Sequence, residues 1–231
     1  MLLVYTYLAN FVNCSAIEQC MISVHGCISS SSLQPLAIAC IMKPHLNVIG
    51  IYASILVGRL HNAMERTTLE HGFGPFYRSD SRLLILGSFP SVKSRECQFF
   101  YGHPQNRFWP VIASLCKEST PRTLEQKALL LEKNHIALYD VIERCSIVGS
   151  SDSSIRDVLP ADLHPILDAA PIGPNIFING GKAYLLYQKY LFPQLGISAH
   201  KLPSTSPANA AYSLAVLTQL WGEQLNPLLR K

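Results

Sequence analysis

Before residue 64 the chain carries almost no charge: Glu18, Lys43 and Arg59 are the only three such side chains there, although 15% of all 231 residues are charged. Long apolar runs are missing as well. The two apolar pieces of that segment, Met1 to Val12 and Val48 to Val57, fall short of the roughly 20 residues that span a bilayer. No lysine or arginine precedes Lys43, which excludes a secretory signal with a basic start. The seven cysteines (Cys14, Cys20, Cys27, Cys40, Cys97, Cys116, Cys145) contain no CxxC pair, which argues against a zinc ribbon or a four-cysteine iron–sulfur site. They form no regular framework, which points to a reducing compartment and an intracellular protein without a metal cluster.

What is present divides in two. Residues 1–63 show no sustained period and read as a low-charge extension, either poorly ordered or not part of the native protein. Membrane association is the other reading, and no function is placed there. Residues 64–231 are regular. Arg82–Leu86, His135–Tyr139 and Asn175–Ile178 are short, nearly continuous apolar runs, as in parallel strands buried on both faces, with Ser198–Leu202 a weaker fourth. Helical stretches alternate with them at Asn106–Leu115, Leu124–Lys133, Ala161–Ala170, Gly181–Tyr190 and Ala208–Leu225. The expectation is an α/β fold, a three-layer α/β/α sandwich around a short parallel sheet of about four strands. Ligands of such sheets sit outside the carboxyl ends of the strands. The loops that matter are then GSFPS, DVIERC, NGGKA and LPSTSPANAA.

Each loop carries polar groups with more than one use. Gly87 and Pro90 bend the chain after the first strand, and the amides around Ser88 and Phe89 either cradle a ligand or merely turn. Asn106 stands where a helix N-cap belongs, and its carboxamide either caps the helix or holds a water or a base edge. Phe108 and Trp109 read as core, whereas Phe100 and Tyr101 precede the helix and are placed to stack on a planar ligand. Asp140 is a strand-end carboxylate or a loop charge. Asn179 offers an acceptor–donor pattern or an Asx-turn, and Lys182 meets a phosphate or only solvent. Ser150–Ser154 and Ser204–Asn209 supply hydroxyls and amides suited to phosphate, although an ordinary cap explains Ser206 equally well. A net charge of +4 permits a polyanionic partner without requiring one.

Taken together, HGFGP (71–75), LLILGSFPSVKSRE, FFYGHPQNRFW, IALYDVIERCSIVGSSDSSIRDV, FINGGKAY and LPSTSPANAAYSL resemble the uracil-DNA glycosylase superfamily, most closely its hypoxanthine-acting branch, the DNA-deoxyinosine glycosylases. The resemblance covers nearly all of 64–231 and none of 1–63. It implies a monofunctional, cofactor-free and monomeric enzyme of base excision repair. Such an enzyme hydrolyses the N-glycosidic bond of a deaminated base flipped from DNA, preferring hypoxanthine. Gly87-Ser88-Phe89-Pro90 replaces the Gly-Ile-Asn-Pro of mismatch-specific relatives, so the asparagine implied to position water is Asn106. The loop from Leu202 lacks the histidine of the uracil-specific enzymes, which counts against strong uracil excision. The resemblance further implies base contacts from Gly87, Ser88, Phe89, Tyr101 and Asn179, and DNA contacts from Lys93, Lys182, Ser204, Thr205, Ser206 and Asn209. A uracil-preferring glycosylase and a non-catalytic module for damaged or single-stranded DNA are the alternatives.

Overall fold

The five residues Leu83–Gly87 form β2, a strand with every position buried. Such a run satisfies its backbone only with a partner on each side and a layer over each face. Both are supplied here. In the computed structural model, which describes residues 66–148 and 154–229, β2 pairs in parallel with β3 (Ile136–Asp140) and β6 (Ile176–Asn179), and β6 pairs with β7 (His200–Leu202). The order is β3-β2-β6-β7. This is the parallel sheet of four strands that the apolar runs predict, flanked by helices in an α/β fold. Residues 1–63, the Met64 boundary and Ser150–Ser153 lie outside the described residues.

The helices are α1 (Val92–Glu96), α2 (Phe108–Leu115), α3 (Leu124–Lys133), α4 (His164–Ala169), α5 (Gly181–Leu186), α6 (Phe192–Leu195) and α7 (Leu214–Leu229). Thr123 and Gln126 form a reciprocal capping box that fixes the start of α3. Between α5 and α6, Tyr187–Leu191 winds as a π-type turn, with the buried Tyr187 hydroxyl donating to the Ile197 carbonyl at 2.8 Å. Helices α2 and α7 meet where Phe108 packs edge-on to Trp221 at 5.9 Å, and both rings are fully buried.

A second sheet departs from the sequence reading. Strands β1 (Arg66–Glu70), β4 (Ile142–Val148) and β5 (Arg156–Pro160) pair antiparallel in the order β1-β4-β5. DVIERC is therefore no loop. Its chain leaves β3 at Asp140 and, after Val141, continues as β4. The last helix also begins later than Ala208: Ser213 caps it, its Oγ accepting from the Val216 N–H at 3.3 Å, so Ser206 is not that cap.

Candidate active site

From β2 the chain crosses to β3 on one side, whereas β6 and then β7 lie on the other. The onward connections of neighbours β2 and β6 therefore diverge, and that switch point is where open parallel sheets bind ligands. The register brings the strand ends level, with Gly87 opposite Asp140 and Leu86 opposite Ile178. Gly87 thus lies between Asp140 and Asn179. A Cβ on Gly87 would stand 2.2 Å from Asp140 Oδ1 and 3.5 Å from the Tyr101 hydroxyl, so only glycine leaves room for both groups at this floor.

Asn179 does not project freely from its strand. Its Oδ1 accepts from the Thr205 N–H at 3.0 Å and its Nδ2 donates to Thr205 Oγ1 at 2.9 Å. A backbone N–H can only donate, which fixes the orientation of the amide. Thr205 Oγ1, having accepted, passes its own hydrogen to Asn106 Oδ1 at 2.9 Å. That oxygen also accepts from the Phe108 N–H at 3.0 Å. The result is a one-way chain from Asn179 through Thr205 to Asn106. Both lone pairs of Asn106 Oδ1 are taken, and its Nδ2 is the group left to meet a water or a substrate. Asn106 therefore stands one residue before the N-cap Arg107, holds the first N–H of α2 from there and still keeps a donor.

Thr205 is fully buried. Its expected contact with a DNA phosphate is corrected accordingly, because the hydroxyl is spent inside, between the two asparagines. Arg107, not singled out in the sequence, holds the rest of this loop. Its backbone N–H donates to the Thr205 carbonyl at 3.1 Å, and its guanidinium donates to the carbonyls of Ser206 at 2.6 Å, Asn209 at 2.8 Å and Tyr212. Ser204 Oγ accepts from the Ser206 N–H, and Asn209 Nδ2 donates to the Ser204 carbonyl. Gly180, at φ 105°, lets the β6 end pass beside Ser204, where a Cβ would come within 3.0 Å.

The other expected site residues spread outward from this floor. Ser88 is half-buried beside Gly87, and its carbonyl accepts from the Ile142 N–H at 3.2 Å. Phe89 is buried, with the Arg95 guanidinium 5.6 Å from its ring centroid. Tyr101, at φ 52°, stacks on Phe108 at 3.8 Å. Burial, and then the Asp140 charge, drives its phenol far above the ordinary value of 10, so the hydroxyl stays protonated. Phe100 packs in the core instead of standing ready to stack. Lys93 is exposed and paired with Glu96 at 2.7 Å. Lys182, also exposed, borders a groove between β5 and α5 together with Arg156 and Lys189.

The floor also holds a pair to which the sequence assigned no role. His71 is fully buried, with Nε2 2.9 Å from Asp140 Oδ2. Phe73, Tyr139, Phe100 and Phe89 surround it, at centroid distances of 4.5 to 6.2 Å. A carboxylate closing the uncharged run IALYD is the signal that pointed to Asp140. Its partner 69 residues earlier opens the HGFGP motif, but nothing in the sequence linked that histidine to Asp140.

No family model matches the chain. It is 34% identical over 146 residues to a hypoxanthine DNA glycosylase of Methanosarcina acetivorans, a match covering 63% of this chain and 91% of the relative. A hypoxanthine DNA glycosylase of Methanosarcina barkeri is 32% identical over 115 residues, 49% of this chain and 73% of that one. Among solved structures, the solution structure of a candidate uracil DNA glycosylase from Methanosarcina acetivorans superposes with a TM-score of 0.60 at 32% identity. That superposition covers 70% of this chain and 99% of the other.

Proposed function

The chain belongs to the hypoxanthine-acting branch of the uracil-DNA glycosylase superfamily and is a DNA glycosylase of deaminated bases; from that premise we propose that hypoxanthine is its preferred base and that Asn106 positions the attacking water. The observation that carries the second part is the Asn106 carboxamide, whose oxygen is pinned by Phe108 and Thr205 while its Nδ2 is left to donate. In the reaction the C1′–N bond of the flipped nucleotide breaks, with both electrons leaving on the base. Positive charge develops on the sugar, water oxygen bonds to C1′ and then releases a proton to solvent, and the departed base anion takes one up, so charge and protons balance. An amide N–H held in place lowers the barrier by fixing that water before the bond breaks, instead of ordering it during the reaction.

The remaining assignments follow the layout of the loops. Gly87, Ser88 and Phe89 line the base side, together with Tyr101 and Asn179. Ser204, Ser206 and Asn209 grip the DNA backbone, with Lys93 and Lys182 as outlying phosphate contacts. Residues 64–231 carry the activity as an intracellular monomer without a cofactor. Among the described residues no helix is long and apolar enough to cross a membrane.

The test is Asn106→Ala in full-length protein, held in excess over labelled duplexes containing one hypoxanthine, uracil or xanthine. Hot alkali then cleaves abasic sites. The variant is expected to lose excision by about 100-fold or more while its duplex affinity changes less than about threefold. Undiminished excision by the variant would remove Asn106 from the mechanism. A wild-type protein that binds the duplexes but makes no abasic site would be a binding module instead.

A further inference from the structure

Resting on that reading, we infer that Asp140, oriented by His71, is the acceptor that reads the ring N–H of the base, with the Tyr101 hydroxyl as donor to the neighbouring carbonyl oxygen. The two groups converge at one place. Asp140 Oδ1 and the Tyr101 hydroxyl both lie over Gly87, within 3.5 Å of the point its missing Cβ would occupy. That point is the centre of the level row Asp140, Gly87, Asn179 at the switch point. The Tyr101 hydroxyl is buried and faces Asn179 and Asp140 without a well-aligned hydrogen bond to either. A buried donor without a partner costs stability, and at a binding site it is satisfied by the ligand.

His71 determines which carboxylate oxygen is left for the base. An ionised carboxylate only accepts, so Nε2 carries the hydrogen and holds Oδ2. The aromatic rings around the imidazole prevent it from turning, so Oδ1 is directed over Gly87. The Asp140 side chain keeps only 7% of its surface exposed, and so meets a base with little competition from water.

The chemistry of this pair matches one face of a base. Hypoxanthine presents N1–H beside O6, and xanthine and uracil repeat that N–H and C=O. Adenine presents a bare N1 beside an amino group, and cytosine does the same at N3. An acceptor-only carboxylate next to a hydroxyl donor bonds twice to the first set and meets the second lone pair to lone pair. Asp140 thereby separates deaminated bases from adenine and cytosine. Guanine shares the favourable face, so its rejection does not arise here.

The experiment compares hypoxanthine with unsubstituted purine, which lacks both N1–H and O6, each placed in the same duplex. Single-turnover excision is corrected for spontaneous base loss, and wild type is set against Asp140→Asn, with thermal melting of each protein alongside. Wild type is expected to favour hypoxanthine by about 100-fold. Asp140→Asn, whose amide turns Nδ2 towards the base once its oxygen has accepted from His71, is expected to lose hypoxanthine excision by a similar factor while purine excision holds or rises, because the amide donates to the bare N1 of purine. Equal losses on both bases would reduce Asp140 to a structural group and overturn the inference. So would a wild type that releases purine as fast as hypoxanthine, a comparison that holds even if the variant does not fold. Release of hypoxanthine by wild type establishes the glycosylase reading on its own, so the two failures are told apart. Release of neither base sinks both.

Discussion

Thr205 illustrates how much can depend on one buried hydroxyl. It accepts from Asn179 and donates to Asn106, and no other side-chain type at this size does both. Valine keeps the shape and removes the link. Thr205→Val should lower excision at saturating DNA by about 10- to 100-fold while leaving duplex affinity nearly unchanged, because the residue does not reach the surface. It also takes the partner from a half-buried Asn179 donor, which costs about 1 kcal/mol of stability. Thermal melting and single-turnover kinetics on the same preparation separate the two effects. Asn106 was legible in the sequence, since an amide before a helix has few uses. The Thr205 link was not, because it joins residues 99 positions apart, and local pattern carries no information about which distant hydroxyl will arrive. His71 and Asp140 share that reason.

At the scale of elements, legibility followed burial. Strands β2 and β3 are covered on both faces, so their sequences are continuous apolar runs that stand out in any window. Strand β4 mixes buried and exposed positions, β5 has no fully buried one, and their pairing shifts register twice, which breaks the alternation an ordinary half-exposed strand shows. The late start of α7 has a specific cause. Ala208, Ala210 and Ala211 favour helix, yet Arg107 takes the carbonyls of Ser206, Asn209 and Tyr212, which a helix there would need for itself. The turn between α5 and α6 supports a prediction of its own. Burial pushes the Tyr187 phenol up from 10 to about 12, so the fold favours its neutral form. That contribution is complete below pH 10 and is lost as pH rises through about 12. Tyr187→Phe should lose about 1 kcal/mol at pH 8 with its bond to Ile197, and its urea midpoint should fall less between pH 10 and 12 than that of wild type.

For the whole molecule the governing quantity is charge against a polyanion. A net +4 is small beside the charge of a duplex, so affinity should depend on a few placed cations rather than on an overall field. The slope of log affinity against log salt counts them at about 0.9 per phosphate neutralised. Lys182→Ala should make that slope shallower by about one, because Lys182 is exposed beside the end of β6. Lys93→Ala should change it much less, since Glu96 already holds the Lys93 ammonium. Fluorescence anisotropy of a labelled duplex titrated at several salt concentrations reads both. If Lys182→Ala leaves the slope unchanged, the phosphate path does not run past the β6 end.

The strand order has a consequence for how the chain is made. Strand β2 is the first of the parallel sheet to be synthesised, yet its neighbour β6 follows far behind, with Leu84 opposite Ile176. At ordinary translation speeds that separation keeps the central strand waiting about 5–20 s for its second partner. Throughout that interval LLIL is a short, uncharged edge able to pair with another nascent chain. The yield of active protein in a cell should then depend on expression rate and temperature more steeply than the stability of the finished fold would suggest.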